Sequence, residues 1–411
     1  SEKEVREAFH AITAAAGPDG EGCLMAPFIR GNREFVAGLV SDPQFGPVVM
    51  FGLGGIFTEV LADTTFRIAP FDEGEAHRML NEISSAKLLG DFRGEKPADT
   101  GTIAKILTGL ARLGTQHPEI AEVDINPLIV TPDGQVVAVD ALVVLGTPDS
   151  QEVGSHSHIK QKKKPARIRA ALDVMANARS VAVVGATTPG LGGFAGMFGC
   201  MRNFGYRGRL YPVNPRLTEI DGLKAYPDLA ALPEKVDLVI ISVPGPLVPD
   251  ILRQCAATGN KNIHIFSSGF KETGEDEGVR LQEEMEQIAL ANDLNVVGPN
   301  CMGFYVPENR LLTWEAAPKQ SGAVSLISQS GGNAQDFSNY LADKYRIYIN
   351  KSISYGNALT LDSTDFLDYL GRDKKTGLIT MYLEGVKDGP LLVDLTTKIN
   401  RRKPVIIYKS G

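Results

Sequence analysis

Short apolar runs alternate with longer amphipathic stretches from about residue 180 onwards, and this alternation most constrains the fold of the chain. Runs of this kind, each followed by a turn and a helix-like pattern, predict parallel β-strands joined by crossover helices. We therefore expect a multidomain α/β protein. The runs predicted as strands are residues 181–185, 209–215, 237–243, 262–268, 295–299, 323–328, 377–385 and 404–411.

A polar, basic segment at residues 147–165 has no hydrophobic period and predicts a linker. Its sequence GSHSH contains two histidines, which are either metal ligands, a phosphoryl carrier or ordinary residues of a solvated linker. Residues 1–146 form one mixed unit before it. We expect two α/β domains after it, at residues 166–305 and 306–411.

Charge and cysteine usage exclude several classes of protein. The net charge is −7 and the pI is about 5.5, whereas a binder of nucleic acid or of a membrane surface needs a basic face. The four cysteines show no CxxC spacing, which favours a reduced protein over a disulfide scaffold or a zinc site. No apolar run approaches the roughly 18 residues of a membrane span. We expect a cytoplasmic enzyme with neither nucleic acid nor membrane as a partner.

Strand-like runs on both sides of the turn Pro132–Gly134 predict a β-hairpin. Pairing outward from this turn sets Asn126 opposite Asp140, with Asp124 on the same face. Amide and carboxylate oxygens are ligands for a Mg²⁺ ion that also holds nucleotide phosphates. The alternative is a solvated hairpin face with incidental acids.

A glycine-rich loop follows the run at 181–185, with glycines at 185, 190, 192 and 193. The free N–H groups of a helix start predict an anion site for nucleotide phosphates there. The spacing is not GxGxxG, and the next run ends in Val-Asn-Pro with no acid for a ribose hydroxyl, so an NAD site is disfavoured. Val243-Pro244 ends a third strand at the same edge, where it would line an adenine pocket.

Two further candidates lie in the last α/β segment. Ser328-Gln329-Ser330-Gly331 follows a strand and opens a helix, which predicts either a phosphate site or simple helix capping. Glu384 ends an apolar strand at the edge where open α/β sheets bind ligands. The alternative for Glu384 is an ordinary surface residue.

These segments, in this order, resemble the ADP-forming acetate–CoA ligases and the related succinyl-CoA synthetase, a family of NDP-forming acyl-CoA synthetases. The resemblance extends over nearly the whole chain. Its most specific pieces are FGLGGIFTEVLAD, EVDINPLIVTPDG, YPVNPR, VGPNCMG, SLISQSG and MYLEGVKDG. It implies a partial ATP-grasp domain, a Rossmann-like CoA-binding domain and the start of a flavodoxin-like ligase domain.

The resemblance also implies roles for particular residues. Asn126 and Asp140 stand at the positions of the family's Mg²⁺ ligands. Ser328 and Ser330 would receive the phosphate of a phosphohistidine, and Glu384 would steady that histidine. The residues on the CoA side would be Gly185, Thr187, Gly190, Gly192, Gly193, Val213, Asn214, Pro215, Val243, Pro244 and Asn300.

The function implied is an acid–thiol ligase that makes an acyl-CoA from a carboxylic acid, CoA and ATP, through an acyl phosphate. Its cofactors would be CoA, ATP and Mg²⁺. The phosphohistidine would lie outside this chain, so we expect either a fragment or a chain completed by another subunit, in a homo- or hetero-oligomer. The alternatives are a non-catalytic CoA-binding module and a lyase or acyltransferase on the same scaffold. The identity of the acid and the choice between ATP and GTP stay open.

Overall fold

A computed structural model describes residues 1–17, 22–23, 25–55, 63–146, 165–187 and 196–410. The chain divides into two compact units, Ser1–Gly154 and Ser155–Gly411. The segment predicted as a linker lies, except for Pro165, outside the described residues. The histidines of GSHSH belong to that segment.

The first unit is built on an antiparallel sheet in the order β3-β2-β1-β4-β5, with β6 also pairing to β4. Two helices, α2 and α3, cover one face of this sheet with a continuous apolar core. Its elements are α1 (Glu2–Ala16), β1 (Arg33–Asp42), β2 (Gly46–Leu53), β3 (Thr64–Ile68), α2 (Glu73–Glu82), α3 (Thr100–Gln116), β4 (Ile120–Val130), β5 (Val136–Ala138) and β6 (Ala141–Leu145).

Helix α3 shows why the sequence folds this way. Its side chains at Ile103, Leu107 and Leu110 are spaced by three or four residues and are buried against the sheet. Each such side chain contributes about 1.5–3 kcal/mol on burial. Asp99 fixes the start of the helix by accepting a hydrogen bond from the N–H of Thr102 at 3.0 Å.

The described part of the second unit contains two large sheets and a small antiparallel pair, formed by β9 and β10. The first large sheet is entirely parallel, in the order β13-β12-β11-β7-β8. The elements of this part are α4 (Pro165–Ala176), β7 (Ser180–Val184), α5 (Gly196–Phe204), β8 (Arg209–Val213), β9 (Glu219–Ile220), β10 (Leu223–Lys224), β11 (Leu238–Ile241), α6 (Val248–Thr258), β12 (Asn262–Ile265), α7 (Asp276–Ala291) and β13 (Asn295–Val297).

Every residue of β7 and β11 is buried, as expected for parallel strands covered on both faces. The chain leaves β7 towards one edge of the sheet, to β8, and leaves β11 towards the other, to β12. Such a reversal opens a crevice between the carboxyl ends of the two central strands. The crevice of this sheet therefore lies between β7 and β11.

The second sheet of this unit has the order β15-β14-β17-β16-β18-β19, in which β16 to β19 are mutually parallel. The same reversal occurs between β16 and β18. Its elements are β14 (Gly303–Val306), β15 (Leu311–Leu312), β16 (Val324–Ser328), α8 (Gly331–Tyr345), β17 (Ile349–Ser354), α9 (Ser363–Arg372), β18 (Leu378–Leu383), α10 (Gly389–Asn400) and β19 (Val405–Lys409).

All eight runs predicted as strands from residue 181 onwards contain observed strands. The fold was incompletely predicted at β14, β15 and β17, which the apolar pattern did not reveal. Strand β17 is fully buried although four of its six residues are polar or charged.

Candidate functional site

The turn after β7 lies against the end of β11, at the crevice of the parallel sheet. Gly185 has a φ of +88°, and a Cβ atom on it would lie 2.1 Å from the carbonyl oxygen of Ser242. Only glycine fits this close approach of two backbones. Thr187 follows in an exposed position. The predicted loop residues Gly190, Gly192 and Gly193 lie outside the described residues.

Asn214 ties the end of β8 to the same turn. Its side-chain amide donates to the carbonyl oxygen of Ala186 at 2.9 Å, and its Oδ1 accepts from the N–H of Arg216 at 2.8 Å. An aspartate could not donate the first of these bonds, which explains an amide here. Val213 is buried in the core, whereas Pro215 is exposed. Asn214 thus shapes the rim of the crevice through the backbone it holds.

If the crevice binds CoA, as the family resemblance implies, substitution of Gly185 by alanine is expected to weaken this binding by about tenfold or more, because the added methyl group must displace the backbone at Ser242. Calorimetric titration with CoA measures this loss. Gly205→Ala is the matched control, since Gly205 has nearly the same φ, +87°, but open space around its Cβ position. Both variants should lose stability through backbone strain, of about 1 kcal/mol. Equal CoA affinities in the two variants would contradict a CoA site at this turn.

Val243 and Pro244 follow β11 on the opposite side of the crevice, where Val243 is half-buried and Pro244 is exposed. A residue missed from the sequence, Ser267, holds this end in place. Its hydroxyl accepts from the N–H of Val243 at 3.2 Å and donates to the carbonyl oxygen of the same residue. The signal was a pair of serines at the end of the apolar run 262–268, where a parallel strand reaches the binding edge.

Asn300 lies in the segment 298–302, which leads from the first sheet of the second unit into the second sheet. Asn300 is exposed with a φ of +56°, and its N–H donates to the carbonyl oxygen of Ser267 at 2.9 Å. Asn357, in the loop after β17, donates its N–H to Pro299 at 3.0 Å. The carboxyl ends of the parallel strands in the two sheets therefore meet at this segment.

A buried histidine contacts the segment 298–302. His264 on β12 lies within hydrogen-bond distance of the Cys301 carbonyl oxygen, at 3.2 Å from Nε2. Complete burial lowers the pKa of His264 to about 4, against a smaller opposing effect of that hydrogen bond. The imidazole is therefore neutral near pH 7 and donates through Nε2. Gly303 leaves room for the ring, since a Cβ there would lie 2.3 Å from it.

The amino terminus of α8 abuts the same segment. Ser330 caps the helix by accepting from the N–H of Asn333 at 3.4 Å, and the buried Ser328 hydroxyl donates to the Ser330 carbonyl oxygen at 2.6 Å. A Cβ on Gly331 would lie 2.5 Å from the side chain of Met302. Met302 of the segment 298–302 thus lies against the helix start, and the helix dipole favours an anion there.

Glu384 is exposed in the turn after β18. Its N–H donates to Oε1 of Gln329 at 2.5 Å, and its carbonyl oxygen accepts from Nζ of Lys409 at 3.0 Å. The structure therefore joins Glu384 to the serine-containing turn through Gln329. Neither Gln329 nor Lys409 was singled out from the sequence.

Asn126 and Asp140 belong to the first unit. Strand β4 pairs with β6 as far as Ile125 and with β5 from Leu128 onwards, and one register holds from Glu122 to Val130. This register sets Asn126 across from Asp140, as predicted. The ladder is interrupted between the two runs, where Pro127 lacks the N–H that a continuous ladder needs.

The oxygens at this interruption fit a hard divalent cation. Asn126 and Asp140 are exposed, and Asp140 accepts from the N–H of Ala141 at 2.8 Å through one carboxylate oxygen. Asp124 is half-buried two residues before Asn126 on β4. No group of three or more His, Cys, Asp and Glu side chains suited to a metal occurs within the described residues. A Mg²⁺ ion here would therefore take most of its ligands from water and nucleotide phosphates, as this ion commonly does.

Three family models match successive parts of the chain. Residues 1–145 match the family model of an ATP-grasp domain, and residues 179–307 match that of a CoA binding domain. Residues 321–411 match a succinyl-CoA ligase like flavodoxin domain. These matches confirm the predicted fold class.

Similar proteins include ADP-forming acetate–CoA ligase II of Archaeoglobus fulgidus, which is 34% identical over 417 residues. That alignment covers 100% of this chain and 58% of the relative. The alpha subunit of ADP-forming acetate–CoA ligase II of Pyrococcus furiosus is 36% identical over 241 residues, covering 58% of this chain and 52% of the subunit. The chain thus spans between half and three fifths of the length of these relatives.

A solved structure of Candidatus Korarchaeum cryptofilum dinucleotide-forming acetyl-coenzyme A synthetase 1, in complex with phosphate and ADP, is 35% identical to the chain. It aligns with a TM-score of 0.53 over 58% of this chain and 52% of that one. The chain therefore contains the matches to an ATP-grasp domain, a CoA binding domain and a succinyl-CoA ligase like flavodoxin domain. It is similar over its whole length to an ADP-forming acetate–CoA ligase, a member of the NDP-forming acyl-CoA synthetases. In the portion that the structure describes, no helix is both long and apolar enough to cross a membrane.

Proposed function

We propose that the protein is an acid–thiol ligase that forms an acyl-CoA from a carboxylic acid, CoA and ATP, with release of ADP and phosphate. The observation that carries this proposal is the meeting of two carboxyl edges at residues 298–302. One edge has the crevice of a CoA binding domain, and the other has the anion-binding start of α8. A thiol and a phosphorylated acid can react only if their sites adjoin in this way.

The proposed reaction has three displacements. A carrier histidine would take the γ-phosphoryl group of ATP, which releases ADP. The carboxylate then attacks that phosphoryl group, which forms an acyl phosphate and frees the histidine. The CoA thiol loses its proton to water and attacks the acyl carbon, and phosphate leaves as the C–O bond breaks. Splitting the condensation in this way replaces one difficult step by three at activated centres.

Particular residues have roles in this proposal. The N–H groups at the start of α8, with Ser330, bind the transferred phosphate. The predicted role of Ser328 is corrected to one of support, because its buried hydroxyl donates to the Ser330 carbonyl oxygen. A histidine would carry the phosphate, and Glu384 would steady that histidine by charge and hydrogen bonding. Gly185 and Asn214 shape the crevice for the CoA nucleotide.

Asn126 and Asp140 would hold Mg²⁺ in the first unit. When bound, this ion supplies positive charge to the nucleotide phosphates and aligns them for transfer. The oxygen chemistry and the exposure of the two side chains support this assignment.

We further propose a cytoplasmic location, which the four free cysteines support. The relative from Pyrococcus furiosus is an alpha subunit, which supports assembly of this protein into an oligomer. The alternative of a non-catalytic CoA-binding module is not favoured, because such a module would not need the proposed phosphate site at the start of α8.

Product analysis in the full-length protein tests the proposal. Incubation with ATP, CoA and a series of carboxylic acids should yield ADP and phosphate, and formation of AMP and pyrophosphate would overturn it.

Glu384→Gln should lower kcat by about 100-fold, since it removes a charge from the phosphate-transfer site. Glu308→Gln is the matched control, because Glu308 is an exposed partner of Lys375 and should leave kcat unchanged.

A further inference from the structure

Gln329 occupies the position between the two serines at the start of α8. Its side chain is half-buried, and Oε1 accepts hydrogen bonds from the N–H groups of both Glu384 and Gly385, at 2.5 and 2.8 Å. Its own N–H donates to the carbonyl oxygen of Tyr382 at 3.0 Å. A single residue therefore makes three hydrogen bonds to the segment that carries Glu384.

These bonds fix the turn after β18 to the turn before α8. An amide oxygen has two lone pairs, so one side chain satisfies two consecutive N–H groups that no strand ladder reaches. Two bonds hold the same turn from the side of β19. The N–H of Ser410 donates to Leu383 at 2.8 Å, and Lys409 donates to the Glu384 carbonyl oxygen. The backbone of Glu384 is thus held from both neighbouring strands.

We propose that Gln329 is a positioning residue, which sets the distance and orientation of Glu384 relative to the phosphate-binding start of α8. This inference rests on the proposed function. Glutamine suits the task because it provides an acceptor without a negative charge beside an anion site. Asparagine is one methylene shorter, and methionine has a similar length but only a weak acceptor.

A double-mutant cycle tests whether Gln329 acts through Glu384. In the full-length protein, Gln329→Met should lower kcat by about tenfold or more, with an unchanged KM for CoA, because the carboxylate is no longer held in place. In a Glu384→Gln background the same substitution should cost less than about twofold. Equal losses in both backgrounds would overturn the inference.

Hydrogen exchange gives a readout that does not depend on turnover. The amide of Gly385 should be protected in the wild type and should exchange faster in Gln329→Met, while the strand amides of β18 keep their protection. Unchanged protection of Gly385 would also overturn the inference. If Gln329→Met does not fold, Gln329→Asn repeats both measurements, since its shorter side chain cannot span the same gap.

The failure of this inference can be distinguished from failure of the proposed function. If Glu384→Gln alone leaves kcat unchanged, the proposed role of Glu384 at the phosphate site is wrong, and the inference about Gln329 is wrong as well. If Glu384→Gln is inactive while the two substitutions at Gln329 and Glu384 act independently, the proposed function stands and only the positioning role is lost.

Discussion

Replacement of Asp140 by asparagine is expected to reduce formation of ADP by on the order of 1000-fold. The carboxylate faces Asn126 where the β4 ladder is interrupted, and it would be the charged protein ligand of the Mg²⁺ ion that aligns the nucleotide phosphates. An amide keeps the shape and an oxygen ligand but removes the charge. The measurement is the rate of acid-dependent ADP release across a Mg²⁺ titration, with CoA affinity measured separately and expected to stay unchanged.

Asp133→Asn is the control for this prediction. Asp133 is an exposed acid in the turn of the same hairpin, within hydrogen-bond distance of the hydroxyl of Thr131, and it lies outside the proposed metal site. Its substitution should alter kcat by less than about twofold. If Asp140→Asn retains wild-type turnover and Mg²⁺ dependence, Asp140 is not a metal ligand.

Substitution of Lys351 by methionine is expected to destabilise the second unit by about 3–5 kcal/mol. Lys351 on β17 is 5% exposed, and its ammonium lies 2.8 Å from a carboxylate oxygen of Asp373. Asn350 and Thr376 donate to the same oxygen at 2.7 and 2.8 Å. Removal of the lysine leaves a partly buried carboxylate without its counter-charge. Thermal unfolding should show a Tm lowered by roughly 10 °C.

Lys398→Met provides the comparison, because Lys398 forms an exposed pair with Asp394 one helical turn away on α10. Its loss should change stability by less than about 0.5 kcal/mol. Similar Tm values for the two variants would show that the buried pair contributes little.

The pair also predicts a dependence on pH. Burial opposes ionisation of Asp373, but hydrogen bonds from Lys351, Thr376 and Asn350 outweigh it and lower its pKa from 3.8 to about 2. The resulting stability is present above pH 3.8 and is lost as the pH falls towards 2. Lys351→Met should show a weaker loss over this range.

The sequence allowed prediction of those features that depend on local periodicity. The apolar runs located the parallel strands, because burial on both faces demands continuous apolar residues. The hairpin register followed from the position of the Pro132–Gly134 turn, since side chains alternate strictly along paired strands. The proposed partnership of Asn126 and Asp140 rests on that register.

Other features depend on contacts between distant segments. Strand β17 escaped prediction because its buried residues include Asn350 and Lys351, whose partner Asp373 lies over 20 residues away. The bonds from Glu384 and Gly385 to Gln329 join segments about 55 residues apart. No local pattern marks such a pairing, which becomes visible only once the strands are placed side by side.

The segment at residues 298–302, which connects the two large sheets of the second unit, limits where the gene can be divided. This segment is both the exit from β13 and the approach to β14, and its carbonyl groups at Gly298 and Pro299 accept hydrogen bonds from the loop after β17. A break in the polypeptide here would remove the covalent link between the two sheets whose carboxyl ends meet at this segment. Gene fission within residues 298–302 should therefore be selected against, as should insertion of a new exon or domain at that point.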